Sequence, residues 1–403
     1  MASFEDGMDM AIELAAKGVF DTTLYEKKCK EAGVDLHHLK GKEDFERIPF
    51  LYKDEIRNTS PYERTNTRPE DVFAIFSSSG TTGKKTYYIF NQNDCRMHEK
   101  FVRSFYTPLG LKPGGLGAVL APIGTGNMAH MMTRQFTEMG MGVTWCPEPT
   151  PENIVETVTG LPVTCLATLP EVTMSLDQRG DFAEAARTSK VQQLILGGSF
   201  LSEKKRRHIE ELWNAKVYNS YGLSEIFGPI ANECPEQNGL HYHREDLLIE
   251  LFDPKTGRRV EEGQPGVAVY TTLWQKGFPI LRYWSKDLLQ MVPGRCSCGS
   301  DLPRFQYFGR LDDCYQNPKG DWVSPTMVEE AVFDSGLRHY QVVLSTEDPT
   351  HGSFLFEEGE QEPGDERITA LEELFQAKLH VNAVPQEALF LRGFKPKLIL
   401  VKD

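Results

Sequence analysis

Apolar side chains at Met8, Ile12, Ala15 and Ala16 recur at the interval of one helical face, so the chain is predicted to open with a helix. From about residue 71 the pattern changes to short apolar runs of strand length. Examples are Val72-Phe73-Ala74-Ile75-Phe76, Gly117-Ala118-Val119-Leu120, Gln193-Leu194-Ile195-Leu196 and Lys216-Val217-Tyr218. Each gives way to Gly, Ser or Pro and then to a helical pattern, the signature of βαβ units and a largely parallel sheet. Leu247 to Phe252 and Gly266 to Thr272 read as antiparallel strands, with turns at Asp253-Pro254-Lys255-Thr256-Gly257 and Gly263-Gln264-Pro265-Gly266. Beyond about 309, strand and helix pieces of an α+β kind lead to a lysine-bearing tail.

A length of 403 residues fits two or three domains, and 40% apolar with 25% charged residues is the composition of a soluble globular protein. Disorder, collagen-like repeats and coiled coil are excluded. The 44 basic and 58 acidic residues give a net charge of −14, so a nucleic acid, whose phosphates the surface would repel, is not an expected partner. Residues 1–20 lack a basic start followed by an apolar stretch, and no window reaches the ~18 apolar residues of a membrane span. A cytoplasmic location away from membranes is expected. The eight cysteines are then expected to be reduced, serving as packing residues or metal ligands.

The most specific string is Ser77-Ser78-Ser79-Gly80-Thr81-Thr82-Gly83-Lys84-Lys85, directly after an apolar strand. Five hydroxyls and two glycines in this stretch let the backbone fold around an anion, with lysine at the far end. It is not a Walker A loop, because the first glycine of that motif would fall on Ser78 and its final hydroxyl on Lys85. Three further segments follow in order: Asn219-Ser220-Tyr221-Gly222-Leu223-Ser224-Glu225, Tyr283-Trp284-Ser285-Lys286-Asp287 and Gly309-Arg310-Leu311-Asp312-Asp313. With all four motifs in this order, the chain resembles the adenylate-forming superfamily of acyl-CoA ligases, and within it the phenylacetate–coenzyme A ligase family, from about residue 45 to 403.

The resemblance implies a large multi-sheet α/β adenylation domain, residues 1–308, and a small mobile α+β domain, residues 309–403. It implies activation of a carboxylic acid, in this branch an aromatic one, as acyl-AMP with release of pyrophosphate. Transfer to coenzyme A follows, with ATP and Mg²⁺ as the other requirements and a homodimer as one possible assembly. Ser77 to Lys84 would hold the β- and γ-phosphates, with Gly198, Ser199, Asn219, Ser220 and Gly222 completing the nucleotide cradle. Tyr221 would stack on adenine, Glu225 would hold Mg²⁺ through a hard oxygen ligand, and Asp287 and Arg310 would contact ribose or phosphate. Gly197, Gly126 and His130 would meet the acyl substrate, and Asp312 would mark the hinge. His130 reads equally well as a packed histidine.

The last catalytic element that the resemblance implies is a tail lysine, which would neutralise charge during adenylation. Lys395 is preferred and Lys397 is the alternate, because Phe394 and Pro396 interrupt the usual Gly-Lys pattern. The segment Gln316-Asn317-Pro318-Lys319-Gly320-Asp321-Trp322 also departs from the family, which leaves an amine or a carrier-protein thiol open as acceptor. A relative that binds nucleotide or aryl acid without catalysis is a further rival.

Cys296 and Cys298 form a Cys-x-Cys pair, and Cys234 and His241 lie about 60 residues earlier. Three thiolates and one imidazole make a tetrahedral set suited to zinc. His243 is an alternative fourth ligand, and four satisfied side chains without metal are the other reading. Some relatives in this branch carry a similar pattern with structural zinc.

Overall fold

The computed structural model describes residues 4–78, 85–121, 128–389, 391–392 and 395–402. They form two compact units. The first comprises Met1–Gly198, Trp213–Ser285 and Gln290–Gln306, and the second Ser199–Leu212, Lys286–Leu289 and Tyr307–Asp403.

The chain is a mixed α/β protein with an 11-stranded sheet. Its parallel block places Leu116–Leu120 between Gly142–Cys146 and Cys165–Thr168, followed by Gln193–Gly197 and Lys216–Gly222. Cys165–Thr168 is buried at every position, which is why such strands read as unbroken apolar runs. Pro229–Glu233 and Leu240–His241 then pair antiparallel. Leu247–Phe252 and Gly266–Thr272 form the expected antiparallel pair.

The opening helix spans Phe4–Ala16 and buries Gly7, Met8, Ala11 and Ala15. Ile12 is half-buried and Ala16 exposed, so the packed face is rotated from the sequence reading. A second correction concerns the strand before the hydroxyl-rich loop. Val72–Ser77 does not enter the parallel sheet; it pairs antiparallel with Tyr87–Asn91 as a separate two-stranded ribbon. An apolar run ending in Ser and Gly looks the same whether the chain next crosses over or turns straight back.

In the second unit a four-stranded sheet runs in the order Lys378–Val384, His351–Glu357, Tyr340–Ser345, Ile399–Lys402, with both parallel and antiparallel pairs. Helices Pro325–Val332 and Asp365–Phe375 contribute Val328, Val332, Leu371 and Phe375 to a core shared with Val342, Leu344 and Phe354. Each such fully buried side chain is worth about 1.5–3 kcal/mol relative to exposure. Ser324 caps the first of these helices by accepting from the Met327 N–H, and Pro325 occupies its first turn, where a missing N–H costs nothing. Among the described residues no helix is long and apolar enough to cross a membrane.

Candidate active site

Glu225 is 4% exposed at the end of the turn that follows Lys216–Gly222. Its Oε1 accepts from the Tyr283 hydroxyl at 3.0 Å and from the Tyr88 hydroxyl at 3.3 Å. The Lys53 ammonium bonds to the same oxygen and donates to the Tyr88 hydroxyl at 2.7 Å. Gln275 fixes the backbone here: its Nε2 donates to the Glu225 carbonyl at 3.0 Å and its Oε1 accepts from the Phe227 N–H at 3.0 Å. Burial, reinforced by the Glu225 charge, raises the Tyr88 phenol far above its usual range, so it remains a donor. Two phenols and one ammonium thus converge on one oxygen of this carboxylate and orient it.

Lys53 reaches this point by a route that residue spacing does not reveal. Leu51 bridges Tyr283, with the Leu51 N–H donating to the Arg282 carbonyl and the Trp284 N–H to the Leu51 carbonyl, both at 2.9 Å. Arg282 is 2% exposed and clamps the same segment, donating to the carbonyls of Glu46 at 2.6 Å and Ile48 at 2.7 Å. Its charge is met by buried Glu250 at 3.2 Å. Lys53, Tyr88 and Tyr283 were not assigned roles from the sequence; of the three, only Tyr283 lay inside a recognised motif.

Gly197 and Ser220 are register partners, which brings the Gly197-Gly198 turn beside Asn219, Ser220, Tyr221 and Gly222. A Cβ on Gly197 would lie 2.6 Å from the Ser220 carbonyl oxygen, and Gly198 has φ +79°, so both positions require glycine. The Asn219 N–H donates to Glu233 at 2.6 Å, and Ser220 lies 3.5 Å from the Tyr106 hydroxyl. Tyr221 is 7% exposed; its hydroxyl is 2.9 Å from that of Tyr270 and its ring meets Phe305 edge-on. Ser199 belongs to the second unit.

Ser77 ends its strand opposite Tyr87. The Ser78 N–H donates to the Thr86 carbonyl at 2.8 Å, and the Thr86 N–H returns to Ser78 Oγ at 3.2 Å, closing the base of the loop. Ser79, Gly80, Thr81, Thr82, Gly83, Lys84 and Gly126 lie outside the described residues. His130, on helix Met128–Glu138, packs against Phe76 at 5.0 Å and Phe73 at 5.9 Å. Burial, then the Arg134 charge, lowers its pKa, so it is neutral above the mildly acidic range.

The second unit gathers another set. Asp287 is 1% exposed and 3.3 Å from the Arg310 guanidinium. Lys286 pairs with Asp312 at 3.1 Å, and Lys397 donates to the Asp312 carbonyl at 2.9 Å. Lys395 pairs through its backbone with Arg392.

In the first unit, Cys234, His241, Cys296 and Cys298 bring all four donor atoms within 4.8 Å of one another. The Cys234 and Cys296 sulfurs are 3.8 Å apart, and Cys298 Sγ is 3.7 Å from His241 Nε2. Ligands about 2.3 Å (sulfur) and 2.0 Å (nitrogen) from one tetrahedral ion would be separated by about 3.5–3.8 Å. His241 Nδ1 lies 3.0 Å from the Leu302 carbonyl, which fixes the tautomer that leaves Nε2 free for a metal. Burial lowers the His241 pKa, so the ring is neutral, as a ligand must be. Burial pushes the Cys234 thiol up to about 12, whereas at Cys296 hydrogen bonds from Cys298 and Cys234 outweigh burial and bring it below its ordinary value. His243 packs instead between Phe101 and Phe105 and stands outside this cluster.

The profile of a protein family described as AMP-binding enzyme matches residues 13–272. The phenylacetate-coenzyme A ligase of Thermus thermophilus is 31% identical over 339 residues, covering 80% of this chain and 74% of that protein. That of Pseudomonas putida is 28% identical over 319 residues, covering 77% and 70%. In three dimensions, 2-hydroxyisobutyryl-CoA ligase in its postadenylation state, in complex with 2-HIB-AMP, superposes with a TM-score of 0.78 at 19% identity. That match covers 99% of this chain and 88% of the other.

Proposed function

Because the chain belongs to the AMP-binding enzyme family and is an acid–CoA ligase-like enzyme, we propose that it joins an aromatic carboxylic acid to coenzyme A using ATP. A carboxylate oxygen of the acid attacks the α-phosphorus, the bond to the bridging oxygen breaks, and pyrophosphate leaves with that electron pair. The coenzyme A sulfur then attacks the acyl carbon of acyl-AMP, its proton passes to solvent, and AMP departs. The aromatic preference rests on the relatives named phenylacetate-coenzyme A ligase.

The observation that carries this reading is the buried Glu225 carboxylate with Lys53, Tyr88 and Tyr283 around it. Glu225 would hold magnesium as a hard oxygen ligand, and the ion would supply neutralisation of phosphate charge there. Tyr88 and Tyr283 orient that carboxylate, and Lys53 places a second positive charge beside it, where charge develops on the leaving pyrophosphate. Ser77 to Lys84 hold the β- and γ-phosphates, Tyr221 faces adenine, and Asp287 and Arg310 hold the ribose. Lys395, with Lys397 as alternate, neutralises the reacting oxygens.

Cys234, His241, Cys296 and Cys298 take a structural zinc in this reading. Four protein ligands leave no open coordination position, so the ion ties the Pro229–Glu233 and Leu240–His241 strands to the Cys296–Cys298 turn and supplies no chemistry.

The test is a product search by mass spectrometry after incubation with Mg-ATP, coenzyme A and a panel of aryl, arylacetic and fatty acids. An aryl or arylacetyl-CoA is the expected product. Acyl-AMP that accumulates without thioester would move the acceptor to an amine or a carrier thiol, and the absence of both would overturn the reading.

A further inference from the structure

A cavity of about 200 Å³ lies in the first unit between the Arg57–Arg64 segment and the return strand that follows the hydroxyl-rich loop. Arg57, Thr59, Ser60, Arg64, Lys85 and Thr86 line it, and among the described residues no carboxylate does. Arg64 is 2% exposed. Its Nε donates to the Ser60 carbonyl at 3.3 Å and one terminal nitrogen to the Tyr87 carbonyl at 2.7 Å. The other terminal nitrogen is buried without a hydrogen-bond partner among the described residues. Burial lowers the Arg64 pKa to about 10, so the guanidinium is still charged at neutral pH. Among the described residues none supplies it a carboxylate at ion-pair distance. A buried, charged, incompletely bonded guanidinium is costly, and one retained in a native fold calls for a further partner such as an ion or a water.

The surroundings indicate which anion. The volume falls below the roughly 300–1,000 Å³ of a pocket for a drug-sized ligand, so the cavity suits a small ion rather than adenosine or an aryl ring. Thr86 closes the base of the phosphate-loop string through Ser78. The Arg64 guanidinium lies 5.9 Å from the centre of the Tyr88 ring, and the Tyr88 hydroxyl touches Glu225. Thr86 and Arg64 thus connect the cavity, through Ser78 to the start of the loop string and through Tyr88 to the Glu225 carboxylate.

We propose that this basic cavity is a binding site for inorganic pyrophosphate, distinct from the loop that holds the nucleotide phosphates. The choice of pyrophosphate over other small anions rests on the adenylation reading above. Arg57, whose outer nitrogen pairs at 2.9 Å with exposed Asp54, and Lys85 supply further positive charge around the Arg64 site. Occupancy makes pyrophosphate a product inhibitor that does not displace ATP.

The experiment is calorimetric titration of sodium pyrophosphate into the full chain, without acid. It is run alone and with a saturating ATP analogue whose α,β-bridging oxygen is a methylene. Arg57→Gln, Arg64→Gln and the conservative Arg64→Lys are compared after thermal melting has identified the folded variants. Pyrophosphate is expected to bind in both conditions and to bind about tenfold or more weakly in Arg57→Gln and Arg64→Gln, because each loses a charge-assisted bond. The affinity for the analogue is expected to stay within about twofold. If Arg64→Gln does not fold, Arg57→Gln and Arg64→Lys carry the comparison.

Failure of pyrophosphate to bind, its displacement by the analogue, or unchanged affinity in Arg57→Gln would overturn the site. Orthophosphate binding as tightly as pyrophosphate would overturn the assignment of the ion. Pyrophosphate binding in a chain that adenylates no acid would count against the enzymatic reading and leave the site standing.

Discussion

The Lys53 ammonium bonds to the Glu225 carboxylate across 172 residues of sequence, and both donate to or accept from the Tyr88 hydroxyl. Lys53 therefore places a positive charge directly on the carboxylate proposed to hold magnesium. Replacing it with methionine keeps much of the stem and removes the charge. The expected result is adenylation slowed about 10- to 100-fold, the worth of one charge-assisted contact of about 1.5–3 kcal/mol. The side chain is 30% exposed, so the melting temperature is expected to move little. Steady-state pyrophosphate release and a thermal melt check both halves; an unchanged rate would remove Lys53 from the chemistry.

The Cys234–His241–Cys296–Cys298 cluster is expected to yield one zinc per chain by elemental analysis. Cys296→Ser should lower zinc content and the melting temperature together, by about 5 °C or more. Acid should release the ion, because thiolates and the neutral His241 ring take up protons as pH falls. Full stability in a zinc-free chain would mean that the four side chains are satisfied without metal.

Asp94 caps its own helix and also accepts the N–H groups of Lys276 at 2.8 Å and Gly277 at 2.9 Å. Burial outweighs these donors and raises its pKa to about 6. The folded state thus binds this proton more tightly than the unfolded chain. Its contribution to stability is fully present below about pH 4 and is lost as pH rises through 6. Asp94→Asn places an amide donor against backbone donors and is expected to cost about 1–3 kcal/mol. Denaturant unfolding at pH 4 and 7.5 should show the native chain's advantage over the variant shrinking at the higher pH; an advantage that grows would reverse the sign.

Lys397 is engaged by the Asp312 carbonyl and lies 3.7 Å from Asp313. With that amine committed to a local contact, Lys395→Ala is expected to lower the adenylation rate about 100-fold, and Lys397→Ala about tenfold at most. Single-turnover acyl-AMP formation separates the two, and the opposite order would transfer the catalytic role to Lys397.

Much of this was legible in the sequence because the informative residues are neighbours. Strands such as Leu116–Leu120 and Gln193–Gly197 bury nearly every position and announce themselves as apolar runs, and the glycines and hydroxyls that follow such runs mark the turns at the strand ends. The Cys-x-Cys pair pointed to its partners because thiols near one histidine are chemically conspicuous. Lys53 carried no such mark: it sits in a polar helix start and arrives at Glu225 only because Leu51 pairs with Tyr283 and Arg282 clamps the chain ahead of it. Tyr88 was hidden for a similar reason. Its ribbon is antiparallel, and whether Val72–Ser77 crosses over or turns back depends on a partner strand that local periodicity does not identify. No motif contains Arg64, although the fold buries it against the Tyr88 and Phe278 rings.

Activation of the acid at the α-phosphorus dictates which nucleotide is released. It is tested most directly by identifying the nucleotide formed when a turned-over aromatic acid, Mg-ATP and coenzyme A are mixed with the chain. The expected result is AMP equimolar with thioester, and no nucleotide product when the acid is omitted. ADP, or ATP hydrolysis that proceeds equally well without the acid, would contradict it.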